Sequence, residues 1–335
     1  MRKLFFVCFL ATFAVINLWA DELVSVPVAT LTHNGEARQF YGASALNNAH
    51  AAAVSGDVIT LNSGNFNACD ITKGITLRGA CMSVTTEMSQ AGMKFTRIQN
   101  DMRIKVPSSD PNTLKIEDLC FSSSLTVDSV SHVTFTRIFQ SSNSLYVYSA
   151  KAMQCDIIQS LIYNLYTYYP NAEVDYYLSN STFYSIQTYN GYMPRHLNAQ
   201  NCFINSCSTG VASNPDGIFY NSIINFTLPS GTTAYYCVAP SSSYFNGGAT
   251  CSNCKTVSFS DLFGVSSPSF PYTRRLTETA AATYLGTDGT KVGIYGGLFP
   301  FTFMPDNPLV TRCDIANKTT EDGKLKVEIE VKSVQ

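Results

Sequence analysis

The chain has 335 residues, of which 45% are hydrophobic and only 14% are charged, and its formal net charge is −2. This length and apolar content allow one large domain or two ordinary ones with a sizeable core, and they exclude a disordered chain. Because an ordinary soluble domain has about 25% charged residues, the polar surface must consist largely of Ser, Thr, Asn and Tyr. No basic stripe is present, so nucleic acid is not an expected partner.

The first 20 residues have the pattern of a secretory signal peptide. A cationic start at residues 1–3 precedes an apolar run from Leu4 to Ile16, and Ala20 supplies a small residue for cleavage. No other stretch approaches the ~20 apolar residues of a membrane span. We therefore expect a mature protein that is secreted or held at the cell surface and does not span the membrane.

A helix and several strands are predicted next in the chain. Residues 44–54 have the pattern of an amphipathic helix, with Ser44 as its N-cap and apolar residues on one face. A Gly-Asp pair ends this helix, residues 58–61 begin a strand, and the segments 63–66 and 75–79 follow it.

A repeat of about twenty residues organises the middle of the chain. Four segments align, and they begin at Leu125, Leu145, Leu165 and Ile186. Each repeat holds short strands of alternating polarity, which cannot bury their apolar faces alone but can close a continuous core when stacked at ~4.8 Å. The sequence therefore predicts an all-β fold, a parallel β-solenoid of about ten coils.

A second series of polar residues falls between these segments, each before a hydrophobic pair or near-pair. Its members are Asp118, Arg137, Asp156, Asn180, Asn201 and Asn221. Asn and Asp tolerate left-handed backbone and can hydrogen-bond the backbone of a turn. We expect these residues to occupy the same turn of successive coils and to bond the turns above and below.

The last part of the chain is predicted to close the solenoid. Residues 285–297 are rich in glycine and are followed by prolines, which favours a compact irregular cap over the last coil. Residues 310–331 read as two strands around a polar turn. The expected organisation is a signal peptide (1–20), a parallel β-helix with an N-terminal cap (21–265), and a C-terminal cap with a hairpin tail (266–335).

The order of helix, strand, Gly-x-Phe and the segment from Lys73 to Ala80 resembles the entry to right-handed parallel β-helix proteins of the pectate-lyase-like superfamily. Residues 285–308 resemble the terminal segment of exported Bacteroidetes β-helix proteins. The resemblance implies a right-handed β-helix whose helix covers the open first coil. Enzymes of the superfamily carry close Asp-Asp pairs or calcium-binding carboxylates, and because the sequence has no Asp-Asp dipeptide, no family catalytic residue is transferred to it.

The first candidate site is aromatic. In the aligned segments, alternation places the leucine positions inward and leaves two columns of outward residues. The predicted ligand-binding residues are Asp128, Tyr146, Tyr148, Tyr166, Tyr168 and Tyr189. Exposed phenol rings suit the flat faces of sugar rings, and stacked rings also stabilise neighbouring coils without any ligand. Both interpretations remain open from the sequence.

The second candidate site is ionic. If the coils stack in register, two carboxylates lie one coil below an Arg-His pair, and a third carboxylate lies one coil above it. These residues are Glu173, Asp175, Arg195, His196 and Asp216. Such a group could provide acid and base catalysis on a polysaccharide, whereas an ion-pair cluster in a turn is commonly structural.

Ten cysteines remain after the leader. Their even number in an exported chain favours disulfides, whereas their positions favour mostly buried thiols with one or two bridges. Cys251 and Cys254 form a lone Cys-x-x-Cys pair with no second pair or histidines nearby, so we expect no metal there. No cofactor is expected.

Together these patterns predict a secreted or cell-surface β-helix that binds carbohydrate, or another surface, through its tyrosine-rich face. The expected partner is a polysaccharide or a cell-surface glycan. One alternative is a polysaccharide lyase or glycoside hydrolase that uses the ionic group, and the other is a structural spacer with no ligand.

Overall fold

A computed structural model of the chain describes residues 26–83, 94–128, 130–148, 152–168, 174–188, 194, 196–208, 216–305, 309–319 and 324–332. The fold is a right-handed parallel β-solenoid of about eight turns, which confirms the predicted class. The count is slightly lower than the predicted ten, and eight turns have a left-handed corner residue.

The N-terminal end is closed by antiparallel strands and a helix. Strands β1 (Val28–His33) and β2 (Glu36–Tyr41) form a hairpin around Asn34-Gly35, where both residues have positive φ. Strand β1 also pairs antiparallel with the first solenoid strand, and helix α1 (Ala45–Ala52) packs its apolar side into the same core. The helix was predicted correctly, but the side chain of Ser44 makes no capping hydrogen bond.

The parallel strands lie on three faces, which we call A, B and C, and the later turns contribute strands to faces A and B only. Face A contains β3 (Val58–Leu61), β5 (Thr76–Arg78), the first parts of β8 (Leu114–Phe121) and β10 (His132–Tyr148), β11 (Met153–Ile158), β13 (Val174–Ser179), β15 (His196–Gln200), β17 (Asp216–Tyr220), β19 (Thr233–Tyr235) and β21 (Thr250–Ser252). Face B contains β4 (Gly64–Asn67), β6 (Thr96–Gln99), the end of β8, the middle of β10, the first parts of β12 (Leu161–Thr167) and β14 (Thr182–Thr188), β16 (Phe203–Ile204), β18 (Ile223–Ile224), β20 (Val238–Ala239) and β22 (Lys255–Thr256). Face C contains β7 (Met102–Ile104), β9 (Leu125–Asp128) and the last parts of β10, β12 and β14.

The four segments of the predicted repeat are strands of face C, and they pair with one another in the predicted register. Leu125 pairs with Leu145, Leu145 with Leu165, and Leu165 with Ile186, and all four are buried in the lumen. The strands alternate between lumen and exterior, so one continuous apolar core runs through the stacked turns.

The corner between faces A and B holds one left-handed residue in each of eight turns. These residues are Asp118, Arg137, Gln159, Asn180, Asn201, Asn221, Tyr236 and Asn253. Five of the six predicted corner residues are therefore correct. Asp156 is the exception, because it lies within strand β11 and accepts a hydrogen bond from His132, and Gln159 occupies the corner instead.

Arg137 bonds the corner residues of the neighbouring turns, Asp118 and Gln159, whereas other corner side chains bind a distant part of the chain. Asn180 Nδ2 donates to the carbonyls of Ile294 (3.0 Å) and Gly296 (2.7 Å). Gln159 donates to the Pro300 carbonyl, and the amide group of Asn221 bonds Thr287. Residues 286–301 therefore run back along the corner of the solenoid, from later turns to earlier ones.

The C-terminal segment covers the outside of face B, which corrects the predicted cap over the last coil. The first residue of each hydrophobic pair on this face points outward, as Phe203 and Ile223 do, and packs with helices α2 (Phe259–Phe263) and α3 (Glu278–Thr283) and their connections. Phe203 stacks on Tyr272 with ring centroids 4.5 Å apart. The segment lies on the side because these outward apolar residues must be shielded from water.

The remaining elements lie between and beyond these faces. A short 3₁₀ helix (Ser242–Phe245) follows β20, and strands β23 (Leu309–Thr319) and β24 (Leu325–Lys332) form the predicted antiparallel hairpin at the end of the chain. No helix within the described residues combines the length and the apolar composition that a membrane crossing requires.

Substitution of Asn180 tests the role of the corner in holding the C-terminal segment. Asn180→Gly keeps the left-handed backbone but leaves two buried carbonyls without their donor, so we expect the free energy of unfolding to fall by about 1–3 kcal/mol. Residues 257–303 should also become more sensitive to protease. Asn253→Gly is the matched control, since Asn253 is a left-handed corner residue that is exposed in the last turn. Equal losses of unfolding free energy in the two variants, measured by denaturant unfolding, would contradict this role.

His50 links stability to pH. Its Nε2 accepts the backbone N–H of Thr72 at 3.2 Å, and burial, assisted by nearby Lys73, lowers the pKa of His50 below its ordinary 6.5. Below pH 6.5 the unfolded chain takes up a proton that the folded chain resists, so folding stability falls as the pH drops through the lowered pKa. We expect His50→Gln, whose amide oxygen can still accept the N–H, to reduce the decline of Tm between pH 7 and pH 5. Parallel profiles of Tm against pH for wild type and variant would refute the role of His50.

Candidate functional sites

The outward side of face C carries two tyrosine columns. Tyr146 pairs in register with Tyr166, and their ring centroids are 5.7 Å apart in an edge-to-face arrangement. Tyr148 and Tyr168 are stacked with centroids at 4.5 Å and planes at 28°. We call these four residues the tyrosine face. The register of the parallel strands produces the columns, since equivalent residues of neighbouring turns lie side by side.

The tyrosine face is partly open to solvent. Tyr168 is 37% exposed, and the other three rings are half-buried against one another. Asp128 precedes Tyr148 in the column and is occupied by an ion pair with Arg103 of the turn below. Asp128 therefore closes the lower end of the column, and the predicted Tyr189 lies outside the described residues.

Part of the predicted ionic group lies on face A. Strand register places Asp175 beside His196, and His196 beside Asp216. His196 Nδ1 is 4.0 Å from Asp175 Oδ1 and 3.7 Å from Asp216 Oδ2, which are ion-pair distances that exceed ordinary hydrogen bonds. We call these three residues the histidine row. The predicted Glu173 and Arg195 lie outside the described residues.

The histidine row lines a shallow groove of about 170 Å³. Tyr177, Asn198 and Ile218 form the second row of the groove, at the next outward position of the same three strands. These residues were not predicted, although the two-residue period of a strand would have found them from Asp175, His196 and Asp216. The groove thus offers carboxylates, an imidazole, an amide and a half-exposed phenol to a ligand.

A second histidine–carboxylate pair lies on face A. His132 Nε2 is 2.8 Å from Asp156 Oδ2, and Gln154 also contacts this carboxylate. The register pairs Asp156 with Tyr177, so this pair is continuous with the groove residues. The shorter distance holds His132 more firmly than His196.

The tyrosine face and the histidine row flank the same edge of the solenoid. Tyr148 ends a strand of face C and Met153 begins the following strand of face A, and likewise Tyr168 is followed by the strand that starts at Val174. Beneath this edge, the Tyr176 hydroxyl and Thr167 Oγ1 form a buried hydrogen bond of 2.6 Å between the two faces. Burial raises the pKa of Tyr176 well above its ordinary value, so its hydroxyl stays protonated and structural.

The described residues contain no cluster of three or more His, Cys, Asp or Glu side chains arranged to hold a metal ion. Nine described cysteines are free thiols, and six of them are buried. The structure therefore offers two surfaces built from neutral aromatic and ionisable side chains.

These features define a right-handed parallel β-solenoid with one covered face and two open faces that meet at a polar and aromatic edge. No family model, curated protein or solved structure matches the chain. The function must therefore be argued from the geometry of these surfaces.

Proposed function

We propose that this chain is an exported β-helix protein of the pectate-lyase-like type found in Bacteroidetes, and that it binds a polysaccharide or cell-surface glycan through its tyrosine face. The leader pattern of residues 1–20 supports export. The tyrosine columns carry the binding proposal, because four phenol rings in two in-register columns bring apolar ring surfaces and polar hydroxyl groups together on one face.

The neighbouring edge supplies the polar contacts that a sugar needs. Sugar hydroxyls both donate and accept hydrogen bonds, and the carboxylates of Asp175 and Asp216 accept them while Asn198 does both. We propose that a chain of sugars stacked on the tyrosine face also contacts the groove of the histidine row. The two predicted sites would then belong to one binding surface.

Loss of one ring from the tyrosine face should weaken glycan binding. An aromatic contact contributes about 0.5–1.5 kcal/mol, so we expect Tyr168→Ala to lower the affinity up to about tenfold for the glycan that wild type retains on a glycan array. Affinity electrophoresis in gels that contain this polysaccharide measures the change.

Tyr184→Ala is the matched control for Tyr168→Ala. Tyr184 is 38% exposed and stacks on Tyr163 with centroids at 4.5 Å, but this pair contacts Phe270 and lies outside the tyrosine face. Equal retention of wild type and both variants would remove the tyrosine face as a binding surface. Retention of no glycan by wild type would favour the structural spacer.

A second candidate function is glycan cleavage, and the groove at the histidine row is the observation that favours it. Because His196 Nδ1 lies 4.0 Å from Asp175 Oδ1 and 3.7 Å from Asp216 Oδ2, these two carboxylate oxygens are at most about 7.7 Å apart. This limit is compatible with the ~6.5–9.5 Å separation used by inverting hydrolases. In this function one of Asp175 and Asp216 protonates the leaving oxygen and the other activates water, and His196 lies between them. A lyase would instead use His196 as the base that removes a proton next to a uronate carboxylate.

Substitution of the two histidines on face A separates cleavage from binding. If the groove is catalytic, His196→Ala should reduce the release of reducing or unsaturated sugar by at least tenfold, and His132→Ala should leave it nearly unchanged. The two histidines are matched, with side chains 34% and 35% exposed. Absence of product with wild type, or equal losses in both variants, would exclude a catalytic histidine row.

A further inference from the structure

The inward position after each left-handed corner residue forms a ladder through the turns. From the third corner onward its members are Ser160, Ser181, Cys202, Ser222, Cys237 and Cys254. Ser181 Oγ donates to the Ser179 carbonyl and accepts the N–H of Ser160, and Ser222 Oγ likewise donates to the Tyr220 carbonyl and accepts the N–H of Cys202. In the last two turns, thiols replace the hydroxyls at adjacent positions.

Cys237 and Cys254 are direct neighbours in this ladder. The N–H of Lys255 donates to the Cys237 carbonyl at 2.9 Å, and Val238 pairs with Lys255, so the two cysteines follow the same register. Adjacent strands are about 4.8 Å apart, which lies within the ~4.4–6.8 Å between Cα atoms that a disulfide spans. The thiol of Cys237 is hydrogen-bonded to the sulfur of Cys254.

A third thiol lies beside this pair. Cys251 pairs with Ala234 in register, so it occupies an inward position of the last turn, and its thiol contacts Cys254. Cys251 is exposed, Cys254 is half-buried and Cys237 is buried. The three thiols thus form a path from solvent into the lumen, with Cys254 at its centre.

The three thiols have different surroundings and therefore different pKa values. The hydrogen bond from Cys237 lowers the pKa of Cys254 to about 7, because it stabilises a negative charge on the less buried sulfur. Burial raises the pKa of Cys237, and it raises the pKa of Cys251 to about 11. Cys254 is therefore the thiolate, and thus the nucleophile, of the cluster near neutral pH.

We propose that Cys254 and Cys237 are a redox-active pair that forms an intramolecular disulfide when the protein meets a disulfide oxidant. The Cys254 thiolate attacks one sulfur of the oxidant, which forms a mixed disulfide and releases one half of the oxidant as a thiolate. Cys237 then loses its proton to solvent and attacks the Cys254 sulfur, which releases the second half. Two thiols are oxidised to one disulfide, and the oxidant is reduced to two thiols.

The position of this bond gives it a structural consequence. Strands β21 and β22 form the final turn, and most of their residues are exposed. A terminal turn has a partner on one side only, so it opens more readily than an inner turn. The Cys237–Cys254 disulfide would fasten the last turn to the one before it, whether or not the protein binds a glycan.

Disulfide mapping of the full chain tests the proposal. The protein is incubated with oxidised glutathione, the remaining thiols are blocked with N-ethylmaleimide, and the product is digested with chymotrypsin. Cleavage after Tyr236 and Phe245 places Cys237 on one peptide and Cys251 with Cys254 on another. We expect a cross-link between the two peptides, a blocked Cys251, and a higher Tm for the oxidised protein than for the reduced protein.

Three single substitutions identify the bond. Cys254→Ser should abolish the cross-link and the rise in Tm, and Cys251→Ser should preserve both. Cys202→Ser is the matched control, since Cys202 occupies the same ladder position between two serines and should also preserve both. A Cys251–Cys254 bond, or three blocked thiols in the oxidised wild type, would overturn the proposal. If Cys254→Ser does not fold, the map of wild type and Cys251→Ser still decides it.

Discussion

One left-handed residue per turn at the corner between faces A and B sets the shape of this protein. Eight such residues have φ between 48° and 58°. The conformation costs an ordinary L-residue about 1–2 kcal/mol, and Asn and Asp reduce the cost by local hydrogen bonds. Arg137, Gln159 and Tyr236 adopt it as well, so the pairing of neighbouring turns imposes the conformation where the residue type does not favour it. The repeated corner keeps equivalent residues of successive turns in register. It therefore aligns the leucine columns, the tyrosine columns and the histidine row.

The solenoid and the alignment of its turns could be predicted because both follow from a repeat of about twenty residues in the sequence. The same register brings Asp175, His196 and Asp216 together from three separate turns. The choice of Asp156 for a corner was wrong because residue type alone does not distinguish a turn from an outward strand position. The N-terminal hairpin was missed although Asn34-Gly35 is a strong turn signal. Contacts between residues far apart in the chain, such as Asn180 with Ile294, leave no local pattern in the sequence. The only sequence signal for the covering segment is the pairs of apolar residues on face B, because the outward member of each pair must be shielded from water.

The three faces have different chemistry because they have different neighbours. Face B is apolar on both sides and is closed by the C-terminal segment, whereas faces A and C carry polar and aromatic residues outward. The buried hydrogen bond between Thr167 and Tyr176 joins the two open faces beneath their common edge. A ligand at this edge would therefore meet phenol rings on one side and ionisable groups on the other, on a support with little freedom to rearrange.

The covering of face B also constrains the order in which the protein matures. Phe203, Ile223 and Val238 are synthesised well before Ile294 and Phe301, which shield the same apolar stripe. A nascent chain can stack its turns as they emerge, yet the apolar outside of face B stays exposed until residues 257–303 have been synthesised. During that interval two unfinished copies could associate through their uncovered apolar stripes, so the solenoid is most prone to aggregation before this segment docks.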